Sequence, residues 1–120
     1  FILTVLTTGN AAFDAPNTTG TSTAVAGAAT SNKDAGKVTT EALTTAALSN
    51  YTLTITNNTV TVNSRVQATI NGYTGTTGTP ILMRATPTAN TITIVVRNQH
   101  ATEALNGTLD ISFQVGQPIV

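Results

Sequence analysis

The sequence contains no cysteine and no tryptophan among its 120 residues. Without thiols it can build no disulfide framework, no zinc–thiolate site and no catalytic thiolate. Charge is scarce as well: five Lys and Arg stand against five Asp and Glu, 8% of the chain, for a net charge of zero. An ordinary soluble domain carries about 25% charged residues. Proteins that grip nucleic acid need a basic excess to neutralise phosphates, and here even the aromatics that stack on bases are reduced to 4%. Nucleic acid is therefore not an expected partner. No run reaches about 18 consecutive apolar residues, so no membrane-spanning helix is expected. The apolar start Phe1 to Leu6 is too short for a signal peptide and lacks its basic flank. The chain opens on Phe rather than Met, as a processed or partial chain would.

What the chain does have is threonine, at 28 of 120 positions. A β-branched hydroxyl residue suits the wet face of a pleated sheet, where its methyl packs and its hydroxyl is solvated. A surface so poor in charge repels its own copies weakly, which favours close assembly.

Period-two alternation is the dominant pattern from Gly36 onward. Tyr51, Leu53 and Ile55 alternate with threonines, and Val66, Ala68 and Ile70 follow the same rule. Val60 and Val62 extend the pattern between them. Ile81 to Thr86 reads as a strand stopped by Pro87, and Lys37 to Leu43 as a weaker one. Thr91 to Arg97 is the strongest strand, and Leu109, Ile111, Phe113 and Val115 line one face of the last. Asn57-Asn58, Asn71-Gly72 and Asn106-Gly107 read as turns. Six to eight short strands with one apolar face each require two sheets packed together, so the expected fold is all-β: an antiparallel, jelly-roll-like β-sandwich in one domain. Its body spans residues 36–120. Residues 1–35 are expected to form an N-terminal strand, Phe1 to Thr7, followed by an extended arm or long loop over 9–35, with a short helical turn at Ala24 to Ala29. On this reading, removing residues 1–31 leaves the body folded and weakens only its attachment.

Catalytic chemistry finds little support. His100 is the only histidine, and Ser22, Ser31, Ser49, Ser64 and Ser112 occupy no Gly-x-Ser-x-Gly elbow. Pairing His100 with Glu103 and a serine is conceivable, but a histidine tying loop backbone is the simpler reading. One histidine and five scattered carboxylates give no metal-ligand spacing. The loop Gly72 to Pro80 is Gly-rich yet lacks the lysine and following helix of a phosphate cradle, so it reads as a mobile loop. No catalytic residue, cofactor or metal is expected. Arg65, Arg84 and Arg97 fall on polar-face positions of strands. They are either solvated cations that discourage edge pairing or a cationic stripe for a neighbouring subunit. Val95 and Leu82 also fall on that face and suggest that it is partly covered. Arg65, Arg84, Val95 and Arg97 are thus the candidate interface residues. Tyr73, in the Gly-rich loop, is the candidate ligand platform.

The segments Asn32 to Ala47, Tyr51 to Asn57 and Val96 to Phe113 resemble small virion structural proteins of tailed bacteriophages. The last is the most specific: Asn98 and His100, then Ala104-Leu105-Asn106-Gly107-Thr108-Leu109, then Ile111 and Phe113. The likeness covers about residues 32–115. It implies a β-sandwich of the capsid decoration or cement type, often trimeric, carrying no catalytic residues. The expected partners are the major capsid protein and further copies of the chain, and the expected location is the virion, assembled in the host cytoplasm. The alternative is a tail fibre or spike module that binds a host receptor or glycan, with Tyr73 as the stacking surface.

Overall fold

The computed structural model describes residues 20–116. The expected strand Phe1 to Thr7 and the first part of the expected arm lie outside the described residues. Eight strands make up the rest: β1 (Thr21–Thr23), β2 (Ala28–Thr30), β3 (Ala35–Thr39), β4 (Asn50–Thr56), β5 (Arg65–Tyr73), β6 (Pro80–Thr88), β7 (Thr91–Asn98) and β8 (Leu109–Gly116). They form two four-stranded sheets, β1-β3-β8-β5 and β2-β4-β7-β6. Among the described residues there is no helix.

Burial along β4 and β8 follows the alternation in their sequences. In β4, Leu53 and Ile55 are buried while Thr52, Thr54 and Thr56 are exposed. Central strands β7 and β8 contribute Ile92, Ile94, Val96, Leu109, Ile111 and Phe113 to a core shared by both sheets. Each such side chain, fully buried, contributes about 1.5–3 kcal/mol.

The connections depart from a set of hairpins. Strands β1 to β6 alternate between the sheets, and β7 to β8 crosses back, so only β6 and β7 form a hairpin within one sheet. Asn71-Gly72 is not a turn: β5 runs on to Tyr73, with a bulge at Asn71. Nor does a strand form around Val60 and Val62, because this segment crosses between sheets; Val60 is buried and Val62 exposed. Pro87 does not stop β6, which is an edge strand where a missing N–H costs no ladder bond. The strand expected over Lys37 to Leu43 ends at Thr39.

The arm reading fails where it can be compared. Instead of a loop over residues 20–35, β1 and β2 add a parallel edge strand to each sheet, pairing with β3 and β4. The sheets are therefore mixed rather than wholly antiparallel. Instead of a helical turn, Val25 and Ala28 exchange backbone bonds of 2.9 and 3.0 Å around Ala26 and Gly27, both at positive φ. That is a type I′ geometry, which Gly27 adopts freely. Ser22 Oγ donates to Thr30 O at 2.6 Å, stitching one sheet edge to the other. Removing residues 1–31 would strip β1 and β2, one edge strand from each sheet.

Candidate functional site

The outer face of β2-β4-β7-β6 is assembled from cross-strand neighbours. Thr56, Thr91 and Thr88 form one row and Thr54, Thr93 and Thr86 the next; Thr52, Val95 and Arg84 form a third, and Asn50, Arg97 and Ile81 a fourth. Residues directly opposite in an antiparallel pair share a face. A bulge between Leu82 and Arg84 shifts the phase of β6. Leu82 therefore turns inward against the core, contrary to the strict alternation read from sequence. Ile81 and Met83 remain exposed, at 43% and 52%. Sequence alternation misses these two because one extra residue reverses which side is wet.

Three of the candidate interface residues share this face, and one does not. Arg84 and Arg97 stand on it, whereas Arg65 begins β5 in the opposite sheet, so no three-arginine stripe exists. Val95 points outward yet is only 6% exposed, covered by the chain itself. Arg97 Nε donates to Gln99 Oε1 at 2.8 Å, which fixes its guanidinium. At the same end, Leu48 donates its N–H to Asn98 O at 2.8 Å. It is 49% exposed and held at a φ of 59°, a left-handed conformation that costs a bulky residue about 1–2 kcal/mol.

Asn98 organises that end. Its fully buried amide donates to Thr45 O at 3.1 Å and Glu103 O at 2.8 Å. Its Oδ1 accepts the N–H groups of Thr79 at 3.0 Å and His100 at 3.1 Å. One side chain thus joins the β3–β4, β5–β6 and β7–β8 loops. His100 Nδ1 accepts the N–H groups of Thr102 at 3.1 Å and Glu103 at 3.0 Å. This is the backbone-tying role read from sequence. Serines bond elsewhere: Ser22 to Thr30 O, and Ser112 with Asn71. Asn57 plays the same part at the other end, donating to Lys33 O at 2.7 Å and accepting the Thr59 N–H at 2.9 Å.

Tyr73 is a clamp rather than an open platform. Its ring packs on the core, its hydroxyl donates to Thr77 O at 2.6 Å and accepts the Asn106 N–H at 2.7 Å. Asn106 Oδ1 in turn accepts the N–H groups of Thr76 at 2.7 Å and Thr77 at 3.0 Å. The Gly-rich loop is tied down by these bonds, not loose. Gly107 is required there for close approach: a Cβ on it would lie 2.3 Å from Gly75 N. Its φ is not in the left-handed region, so Asn106-Gly107 is a packing contact and not the tight turn read from sequence.

Titratable groups do not converge. Among the described residues no group of three or more His, Cys, Asp or Glu is placed to hold a metal ion. Lys37 and Asp110 make an exposed ion pair at 3.9 Å on the outer face of the other sheet. Tyr51 donates to Glu41 Oε1 at 3.0 Å. Burial, then that hydrogen bond and the nearby Glu41 charge, push its phenol well above the usual tyrosine range. An open groove of about 810 Å³ crosses β3, β8 and β5, lined in part by Gln67, Thr69, Ser112 and Gln114. No family model matches the sequence, and neither a curated protein nor a solved structure matches it.

Proposed function

We propose that the chain is a non-enzymatic virion structural protein of the capsid decoration or cement type, which docks through the outer face of β4-β7-β6. The observation that carries this reading is one corner of that face. Exposed Ile81 and Met83 stand beside Arg84 and the fixed Arg97, and an exposed Leu48 is held in a costly conformation at the same end. Apolar anchors rimmed by arginine are what a protein-binding patch requires, and strain kept at an exposed residue points to a role outside the fold. The threonine rows beside the patch are flat and uncharged, suited to lie against another protein without a large desolvation cost. The resemblance of residues 32–115 to phage structural proteins supplies the partners: the major capsid protein and further copies of the chain, arranged as a trimer on the virion. Two four-stranded sheets whose consecutive strands alternate between them support a jelly-roll-like relationship.

Many copies in symmetric positions turn a weak contact into a strong shell. The test is the copy number in purified particles. Abundance matching the capsid subunits supports decoration; a handful per particle assigns the chain to the tail, and its absence from particles defeats the proposal. The glycan-binding alternative loses its platform, since the Tyr73 hydroxyl and ring are both engaged.

A further inference from the structure

The sequence contains two Asn-Gly steps, Asn71-Gly72 and Asn106-Gly107, and the fold treats them in opposite ways. We propose that Asn71 is a site of spontaneous deamidation in the native protein, whereas Asn106 is protected. The reaction begins when Gly72 N attacks Asn71 Cγ. A C–N bond forms, the side-chain amide leaves as ammonia with the proton from Gly72 N, and a succinimide remains. Water then opens the ring at either carbonyl, leaving aspartate or isoaspartate at position 71. No oxidant or enzyme is needed. Glycine in second place favours the attack because no side chain crowds the nitrogen.

At the first step the structure leaves room for this reaction. Asn71 is the extra residue of the β5 bulge: Ile70 pairs with Ile111 and Gly72 with Asp110, so Asn71 has no partner in the ladder. Both residues are exposed. A Cβ placed on Gly72 would meet nothing within 4 Å. The Asn71 amide has a hydrogen bond to one side chain, Ser112 Oγ.

At the second step the side-chain amide is held and the glycine is crowded. Asn106 Oδ1 accepts from the N–H groups of Thr76 and Thr77, Nδ2 donates to Thr76 Oγ1 at 2.9 Å, and the Asn106 N–H donates to the Tyr73 hydroxyl. Gly107 is buried and wedged against Gly75. Cyclisation there requires breaking several of these bonds at once, which slows it about tenfold or more relative to the first step. The conversion at Asn71 would add a carboxylate near Asp110, on the face that carries Lys37 and opposite the proposed docking patch. This inference stands apart from the proposed function.

The experiment is incubation of the intact protein at mildly alkaline pH and 37 °C, followed by peptide mass mapping. The expected result is conversion at Asn71 at least about tenfold faster than at Asn106. Gly72→Ala, which the open space tolerates, should suppress conversion at Asn71, and Tyr73→Phe should accelerate it at Asn106. Equal or faster conversion at Asn106 in the native protein overturns the inference. So does an unreactive Asn71 in native protein when the urea-unfolded chain converts at both steps.

Discussion

The two outer faces of the sandwich share one strand plan and differ in what they present. On β1-β3-β8-β5 the exposed side is mainly polar, with Gln67, Thr69, Gln114 and the Lys37–Asp110 pair beside the small Ala35. On β2-β4-β7-β6 rows of threonine lead to a corner of exposed Ile81 and Met83, flanked by Arg84 and Arg97. The first face has what solubility requires. The second has apolar area that folding did not cover, beside cations without a local carboxylate partner in the ion pairs of the described residues. The proposed docking rests on that difference, because the fold alone would not demand it.

The contrast depends on Asn98, which holds the end where Arg97 stands. Asn98→Ala removes four side-chain hydrogen bonds of a fully buried amide and leaves part-buried backbone groups unpaired, so a loss of about 3 kcal/mol is expected in urea titration. Asn106→Ala, at an exposed site, should cost about 1–2 kcal/mol. If the two cost the same, Asn98 is not the organising residue. The faces themselves separate under a matched pair of variants. Ile81→Asp with Met83→Asp should weaken capsid binding roughly 100-fold, as loss of two anchors does. Gln67→Asp with Thr69→Asp should change it by no more than about threefold, the scale of rim charges. Equal losses in both variants would erase the distinction.

Leu48 offers a finer test. Leu48→Gly relieves the positive φ and should stabilise the fold by about 0.5–1 kcal/mol, while capsid binding falls. A variant that gains stability and keeps full binding would show that the strained leucine serves no docking role. The smallest effect concerns neither face. Because the folded state raises the Tyr51 phenol above its ordinary value near 10, the native protein holds that proton more tightly than the unfolded chain. Stability from this group is fully present below about pH 10 and declines as pH rises beyond it. Tyr51→Phe should flatten that decline in alkaline denaturation curves.

Much of this architecture was legible in the chain. Strands β4, β7 and β8 follow from alternation alone, since each turns one side into the core. The failures have local physical causes. Ala-rich residues 21–30 carry too little periodicity to announce three-residue strands whose pairing is wholly with distant segments. The bulges at Met83 and Asn71 change phase without any mark in composition. Alternation hides Ile81 and Met83 for that reason, and it groups Arg65 with Arg84 and Arg97 because strand pattern does not report which sheet a strand joins. Asn98 and His100 were visible as loop-tying residues, but the reach of Asn98 to Thr45, 53 positions away in sequence, was not.

The proposed docking face is that of β6, and its proposed partner is the capsid. Hydrogen–deuterium exchange on the protein bound to capsid shells, compared with the free protein, measures that directly. Added protection in β6, along the strand Pro80–Thr88, and in the segment around Leu48, with β5 and β8 unchanged, is the expected result. Protection confined to β5 and β8, or none anywhere, would contradict it.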